Sequence, residues 1–177
     1  MITKNFKNII ALIFEMTPAS NALGIMESTN IQGNTRYMGA RGGGSTYPAS
    51  VTTSVNFSSA PGIVIGTGNT PATENDYHLE AQITSGLTAG APSPLAALDN
   101  NGNPYIDYAF TLTNTTASDI TVKEIGWVQS IYESNTAGTT AGTVNQFLLD
   151  RTILDHSVTV PAYGTAAIKY QLKTIIS

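Results

Sequence analysis

The sequence predicts a mainly β protein: an antiparallel β-sandwich of the jelly-roll or Ig-like kind, preceded by an N-terminal helix and an extended arm. Three observations carry this. Residues 105–113 (YIDYAFTLT) alternate, with Ile106, Tyr108, Phe110 and Leu112 on one face. Further apolar runs follow around Ile125-Gly126-Trp127 and over 147–154, 156–164 and 166–175, with turn residues between them. Period-two alternation punctuated by Gly, Pro, Asn and Ser marks a sandwich or barrel. By contrast, the first sixteen residues follow a helical period.

In that first segment Ile2, Phe6, Ile9, Ile13 and Met16 are spaced four, three, four and three apart, so they form one stripe of a helix over 2–16. Lys4, Lys7, Asn8, Ala11 and Glu15 fall on the opposite side, while Ile10, Leu12 and Phe14 widen the apolar arc. Thr17-Pro18 ends the helix. Two readings stand: a helix packed on its own body, or an arm docked into a neighbouring subunit through Ile2, Phe6, Ile9, Ile10, Ile13 and Phe14. Residues 21–50 lack periodicity and read as an extended or irregular connection with room for a short strand. A division into a helix-and-arm unit (1–50) and a sandwich (51–177) follows.

Strands are expected at 51–57, 62–65 and 77–84, then a Gly/Pro/Ala-rich stretch over 85–94 and a turn at 99–104. Between Ile120 and Trp127 the apolar phase changes from even to odd positions. A one-residue slip flips every side chain across a sheet, so a β-bulge or strand break is expected at Lys123-Glu124. Residues 133–144 read as a long hairpin loop of small residues.

Charged residues make up only 11% of the 177, against about 25% in a typical soluble domain. Such a surface fits coverage by other subunits, whose interface cores are depleted in charge. It also fits an extracellular β-protein rich in Thr, Ser and Asn. The net charge of −4 and scattered Lys and Arg argue against a nucleic-acid partner. Cysteine is absent, which excludes disulfide staples, thiolate metal sites and a cysteine nucleophile. The apolar run 9–14 is too short for a standard export signal or a membrane span.

Candidate chemistry is sparse. The run 66–71 (GTGNTP) has phosphate-loop glycines but no following helix pattern and no Lys-Ser/Thr pair, so a tight strand-to-strand turn is expected. The Asx-rich 99–103 lacks the terminal Glu of a calcium loop, since Phe110 stands there. His78 and His156 have neither a nucleophile elbow nor enough partners for zinc, and read as exposed or turn residues. Asp150-Arg151 interrupts an apolar strand and reads as solvent-facing or as an ion pair across the sheet. Trp127 reads as a core or interface anchor. Tyr37, Tyr47, Tyr132 and Tyr163 are candidates for a sugar-binding surface, and Asn56 and Asn114 sit in glycosylation sequons. No cofactor, metal or catalytic residue is expected.

Taken together, GIVIGTGNTPATENDYHLE, TLTNTTASDITVKEIGW and LLDRTILDHSVTVPAYGTAAIKYQL, after an N-terminal ITKNF, resemble a class of small tailed-bacteriophage virion proteins. The matching positions are 66–80, 122–126, 148–151 and 158–165. The resemblance covers most of 60–177 and the first ten residues, and leaves 85–104 and 134–143 as features of this member. It implies a non-enzymatic structural protein with a β-sandwich body, present in several copies in the head, neck or tail of a virion assembled in the bacterial cytoplasm. Its expected partners are other copies of itself and neighbouring virion proteins, with neither nucleic acid nor membrane. The alternative is a receptor- or glycan-binding fibre module on the particle surface.

Overall fold

A computed structural model of the chain describes residues 1–13, 25–39, 54–58, 60–100, 102–134 and 140–173. Within them lie one helix, α1 (Lys4–Ile13), and nine strands. The strands are β1 (Ile25–Thr29), β2 (Thr35–Gly39), β3 (Gly62–Gly66), β4 (Leu87–Ala89), β5 (Ser93–Leu98), β6 (Pro104–Asn114), β7 (Ile120–Ser134), β8 (Thr140–Val160) and β9 (Thr165–Lys173). The protein is mainly β, and each ladder between these strands is antiparallel.

They form two sheets. In the first, the order is β1-β2-β7-β3, with β8 on the other side of β7. In the second, β9 lies along one side of β6, while β4 and β5 lie end to end along the other. Alternation on β6 sends Tyr108, Phe110 and Leu112 to the inner face, where they are buried with Ile168 and Tyr170 of β9. Ile63, Ile65, Val122, Ile125 and Val160 of the first sheet complete the same cluster. The two sheets therefore share one apolar core, as one-sided period-two burial requires.

The first sheet is covered on its other face too. Val64, Leu79, Val128 and Leu148 are buried there beside Ile31. This explains why β3 reads GIVIG, apolar without alternation, and is buried along its whole length. Segment 77–84 provides part of the cover and is not the expected strand. It makes one bridge, Gly66↔Gln82, because the Glu80 and Ala81 amides bond a side chain of β7 instead of a ladder. The expected strand at 51–57 is likewise reduced, among its described residues, to the parallel bridge Val55↔Ile63. Residues 51–53 lie outside the described residues.

The phase change at 123–124 is a register shift, as expected. Val122 pairs with Val158 and Glu124 with Ile153, so Lys123 alone spans four residues of β8. The extra chain sits on β8, and it leaves Asp155, His156 and Ser157 exposed. Two regions read as irregular are more ordered than expected. Residues 25–39 form a hairpin, and the Gly/Pro/Ala-rich 85–94 contains β4 and the start of β5. The long loop expected at 133–144 shrinks, since β7 reaches Ser134 and β8 starts at Thr140, with 135–139 outside the described residues.

The amino-terminal segment is built onto this sheet. Residues 1–3 extend along β8 through Ile2↔Asp150, Thr3 N–H to Leu149 O (3.0 Å) and Arg151 N–H to Met1 O (3.0 Å). Ile2 therefore precedes the helix instead of starting it. Phe6 and Ile9 pack against Ile131, Phe147, Leu149 and Trp127, realising the reading of a helix on its own body. Asn8 falls on the side opposite the apolar stripe, yet it is buried with Asn5 because β1 packs there. Asn5 Nδ2 donates to Thr29 O (2.8 Å), and Asn8 Nδ2 donates to Glu27 O (2.9 Å) and Ser28 Oγ (2.8 Å). Residues 14–16 of the expected helix lie outside the described residues. β2 also reaches β7 through Met38↔Glu133, so the hairpin within 1–50 joins the sheet of 51–177.

Phe147 is fully buried at the junction of α1 and β8. Phe147→Ala is expected to cost about 3–5 kcal/mol in urea unfolding, the loss typical of a deleted core aromatic. Hydrogen exchange in 4–13 should accelerate more than exchange in β6.

Candidate functional site

Successive residues of β8 point to opposite faces, so Asp150 and Arg151 serve two different sites. Arg151 points to the outer face of the first sheet, beneath segment 67–82, and is only 3% exposed. Its Nε donates to Glu124 Oε2 (2.9 Å) and its Nη1 to Asp76 Oδ2 (2.8 Å). Its Nη2 donates to Thr70 O (3.3 Å) and lies 3.6 Å from Glu80 Oε2.

Glu124, fully buried on β7, is the other centre. Its Oε1 accepts from the amides of Gly68 (3.1 Å) and Ala81 (2.8 Å), and its Oε2 accepts from the Glu80 amide (3.1 Å) as well as Arg151. Glu80 in turn accepts from the Asn69 and Thr70 amides and from Thr70 Oγ1, each at 2.8 Å. Asp76 accepts from Thr73 N–H (2.9 Å) and Thr73 Oγ1 (2.8 Å). Three carboxylates thus surround one guanidinium, and backbone amides supply the remaining donors. Charge-assisted bonds of this kind are the stronger ones.

The titration of these groups follows their partners. Burial alone would raise the Asp76 pKa, but the bonds from Arg151 and Thr73 outweigh it and hold the carboxyl below its ordinary value. The Thr70 amide and hydroxyl, helped by Asn69 and Arg151, do the same for Glu80. Burial opposes the charge on Arg151, yet Asp76 and Glu124 raise its pKa overall.

The glycines of 66–71 now have a reason. A Cβ on Gly66 would lie 2.4 Å from Glu124 Oε1, and one on Gly68 would lie 2.6 Å from the same atom. They are small so that the loop can close over a carboxylate. The expected tight turn is therefore a cover that leads from β3 across the sheet. The amides a phosphate would need at 68–70 are already bonded to Glu124 and Glu80.

Asp150 faces the other way. Its Oδ2 accepts from Tyr170 Oη (2.7 Å) and Thr152 Oγ1 (3.0 Å), and its Oδ1 lies 3.1 Å from the Met1 ammonium. Tyr170, fully buried on β9, has its pKa pushed well up by burial and by the Asp150 charge. This contact ties β8 to the second sheet. Beside it a cavity of about 590 Å³ opens between the sheets, lined by Phe6, Leu98, Ile106, Trp127 and Leu149 among others.

The other candidates stay apart. His78 stacks edge-on against Tyr77, and His156 is exposed on the β8 bulge. No group of three or more His, Asp or Glu placed to hold a metal occurs among the described residues. Asp99 in the expected turn binds the Asn103 amide (2.8 Å). Asn114 is buried, with Nδ2 donating to Ser118 O (2.7 Å) and Val160 O (3.0 Å), so its sequon is closed in the folded chain. Of the six residues proposed as an interface, Ile2, Phe6 and Ile9 are half-buried against their own chain. Ile10 and Ile13 lie within α1, and Phe14 lies outside the described residues. The sequence marked Asp150-Arg151 but not Glu124, Asp76, Glu80 or Thr70. The available signal was a second charged pair, Lys123-Glu124, set among the apolar residues of the paired strand.

Removing one partner of a buried pair leaves the other uncompensated, so Glu124→Gln and Arg151→Met are each expected to cost about 3–5 kcal/mol in denaturant unfolding. The double variant should lose less than the sum. Asp76 and Glu80 have folded pKa values below the unfolded ones. Their contribution is complete above about pH 5 and is lost progressively as pH falls through the folded values. The unfolding midpoint should therefore drop on acidification below about pH 5, less steeply in Asp76→Asn. No protein-family model matches the chain, and neither a curated protein nor a solved structure shows detectable similarity to it.

Proposed function

We propose that the chain is a non-enzymatic structural and assembly protein of a bacteriophage virion, a head, neck or tail component that acts through subunit contacts. One observation carries this reading: segments that bear the virion-protein resemblance meet at the same place. Gly66, Gly68, Asp76 and Glu80 of the first, Glu124 of the second and Arg151 of the third form a single network. Its bonds are spent on holding a loop against a sheet, and its guanidinium is sequestered. The shared residues thus specify an architecture. In this reading the two sheets are the leaves of a β-sandwich of jelly-roll or Ig-like type, and the partners are further copies and neighbouring virion proteins.

A receptor- or glycan-binding module is the second reading. The observation in its favour is Tyr163, 72% exposed with φ of 53° in the turn between β8 and β9. A glycan array in which binding disappears in Tyr163→Ala would support it.

Cross-linking and cryo-imaging of intact particles test the main reading. The expected result is many copies at one symmetric position in the particle. A protein that never co-purifies with particles during infection would sink it.

A further inference from the structure

The sheet edges are not treated alike. Residues 1–3 cover the free side of β8 at 149–151, and residues 54–56 bond to β3. The free side of β1 is met by Asn5 and Asn8 of α1, which bond Thr29 O and Glu27 O. β9 carries Lys169, 66% exposed. These are standard ways of blocking an edge: cover, side-chain capping and lysine. β5 has none of them. Its six residues, SPLAAL, bear no charge, Leu95 and Leu98 are 64% and 66% exposed, and its strand partner among the described residues is β6 alone.

The direction of its backbone groups follows from the turn. Asp99 N–H donates to Asn103 O (2.9 Å), which makes that pair hydrogen-bonded. Antiparallel pairs alternate, so Ala97–Tyr105 and Leu95–Asp107 are bonded, while Leu98–Pro104, Ala96–Ile106 and Pro94–Tyr108 are not. Both prolines fall at non-bonded positions, as the missing N–H demands. The amides of Ala96 and Leu98, and the carbonyls of Pro94, Ala96 and Leu98, therefore face the free edge.

We propose that β5 pairs antiparallel with β5 of a second copy about a two-fold axis at Ala96, joining the second sheets of two subunits into one. This rests on the assembly reading above and identifies the edge at which copies meet. The edge is self-complementary: Ala96 pairs reciprocally with Ala96, and each Leu98 amide reaches the other copy's Pro94 carbonyl. Two-fold pairing sets like residues near each other, and a neutral strand meets its copy without repulsion, whereas β9, with exposed Lys169, would not. The inner face of β5 also lines the open apolar cavity through Ala96 and Leu98. A second copy continuing that face closes the mouth and buries Leu98. Main-chain bonds plus an adjoining apolar pocket are how strand addition gains affinity and register.

The test is sedimentation equilibrium of the full chain, with Ala96→Pro and Ala96→Lys. Ala96→Pro removes an outward amide at a position not bonded to β6, so its circular dichroism should match wild type, and its midpoint should fall only by the concentration-dependent part that association adds. Ala96→Lys places two ammonium groups across the axis. The expected result is a wild-type mass of twice the monomer or an even multiple, halved in both variants, with Lys169→Ala unchanged. An oligomer indifferent to both Ala96 variants overturns the β5 pairing and leaves the assembly reading standing. A wild-type chain that is monomeric at every concentration also overturns it, and particle localisation then decides the assembly reading separately.

Discussion

The constraint on which the rest of this structure depends is the Glu124 carboxylate, fully buried on the outer face of a sheet. An unpaired carboxylate there would cost several kcal/mol of desolvation, so the fold must bring donors to it. Arg151 supplies one from the neighbouring strand, and the amides of Gly68, Glu80 and Ala81 supply the others. Those amides sit on the segment that leads from β3 towards β4 in the second sheet. Meeting the needs of one side chain thus fixes the path between the sheets. A buried ion pair is a weak source of net stability compared with apolar packing. What this one controls is which path the loop takes, because any other leaves Glu124 Oε1 without the Gly68 and Ala81 amides and Arg151 without Asp76.

The same logic sets the details around it. Gly66 and Gly68 are required by the distance to Glu124, not by turn geometry. Gly126 lies opposite Arg151, where a Cβ would meet Asp150 O and Leu79 Cδ2, both at 2.9 Å. Its missing side chain lets Leu79 seat on the sheet and bring the loop down. At the amino terminus, Asn5 and Asn8 solve a related problem. A strand edge packed under a helix needs polar partners, and two asparagines one helical turn apart supply them. Part of the polar side of α1 therefore packs on a sheet edge, while Lys4 and Lys7 stay exposed.

What the sequence revealed follows from how local each signal is. β6 was legible because its inner face is buried and its outer face is not, which writes period two into the chain. The bulge was legible for the same reason, since the phase of burial shifts between Val122 and Ile125. β5 was hidden because Ser, Pro, Leu and Ala carry no strand propensity, and the hairpin of β1 and β2 shows no clear alternation. Segment 77–84 has the apolar residues of a strand, but its amides are drawn to Glu124, 43 and 44 positions away. The charged network was opaque as a whole. Asp76 lies 75 residues from Arg151 and Glu124 lies 27, and pattern reading has no access to pairings of that range.

The scarcity of charge takes on a different meaning in three dimensions. Charged residues are only 11% of the chain, and several of those are withdrawn from the surface. Glu124, Asp150, Arg151 and Asp107 are all buried, and Asp76 is largely covered. Charge that would keep molecules apart has been spent on internal joints: loop to sheet at Glu124, sheet to sheet at Asp150, and strand to strand where Asp107 meets Lys169. The exterior is consequently more neutral than the composition implies. Self-repulsion between copies is weak on such a surface, so association is governed by local features of shape and backbone pairing. Edges then decide which contacts form, and a fold that protects β8, β3, β1 and β9, keeps β4 to three residues and leaves neutral β5 open favours β5 as the meeting edge.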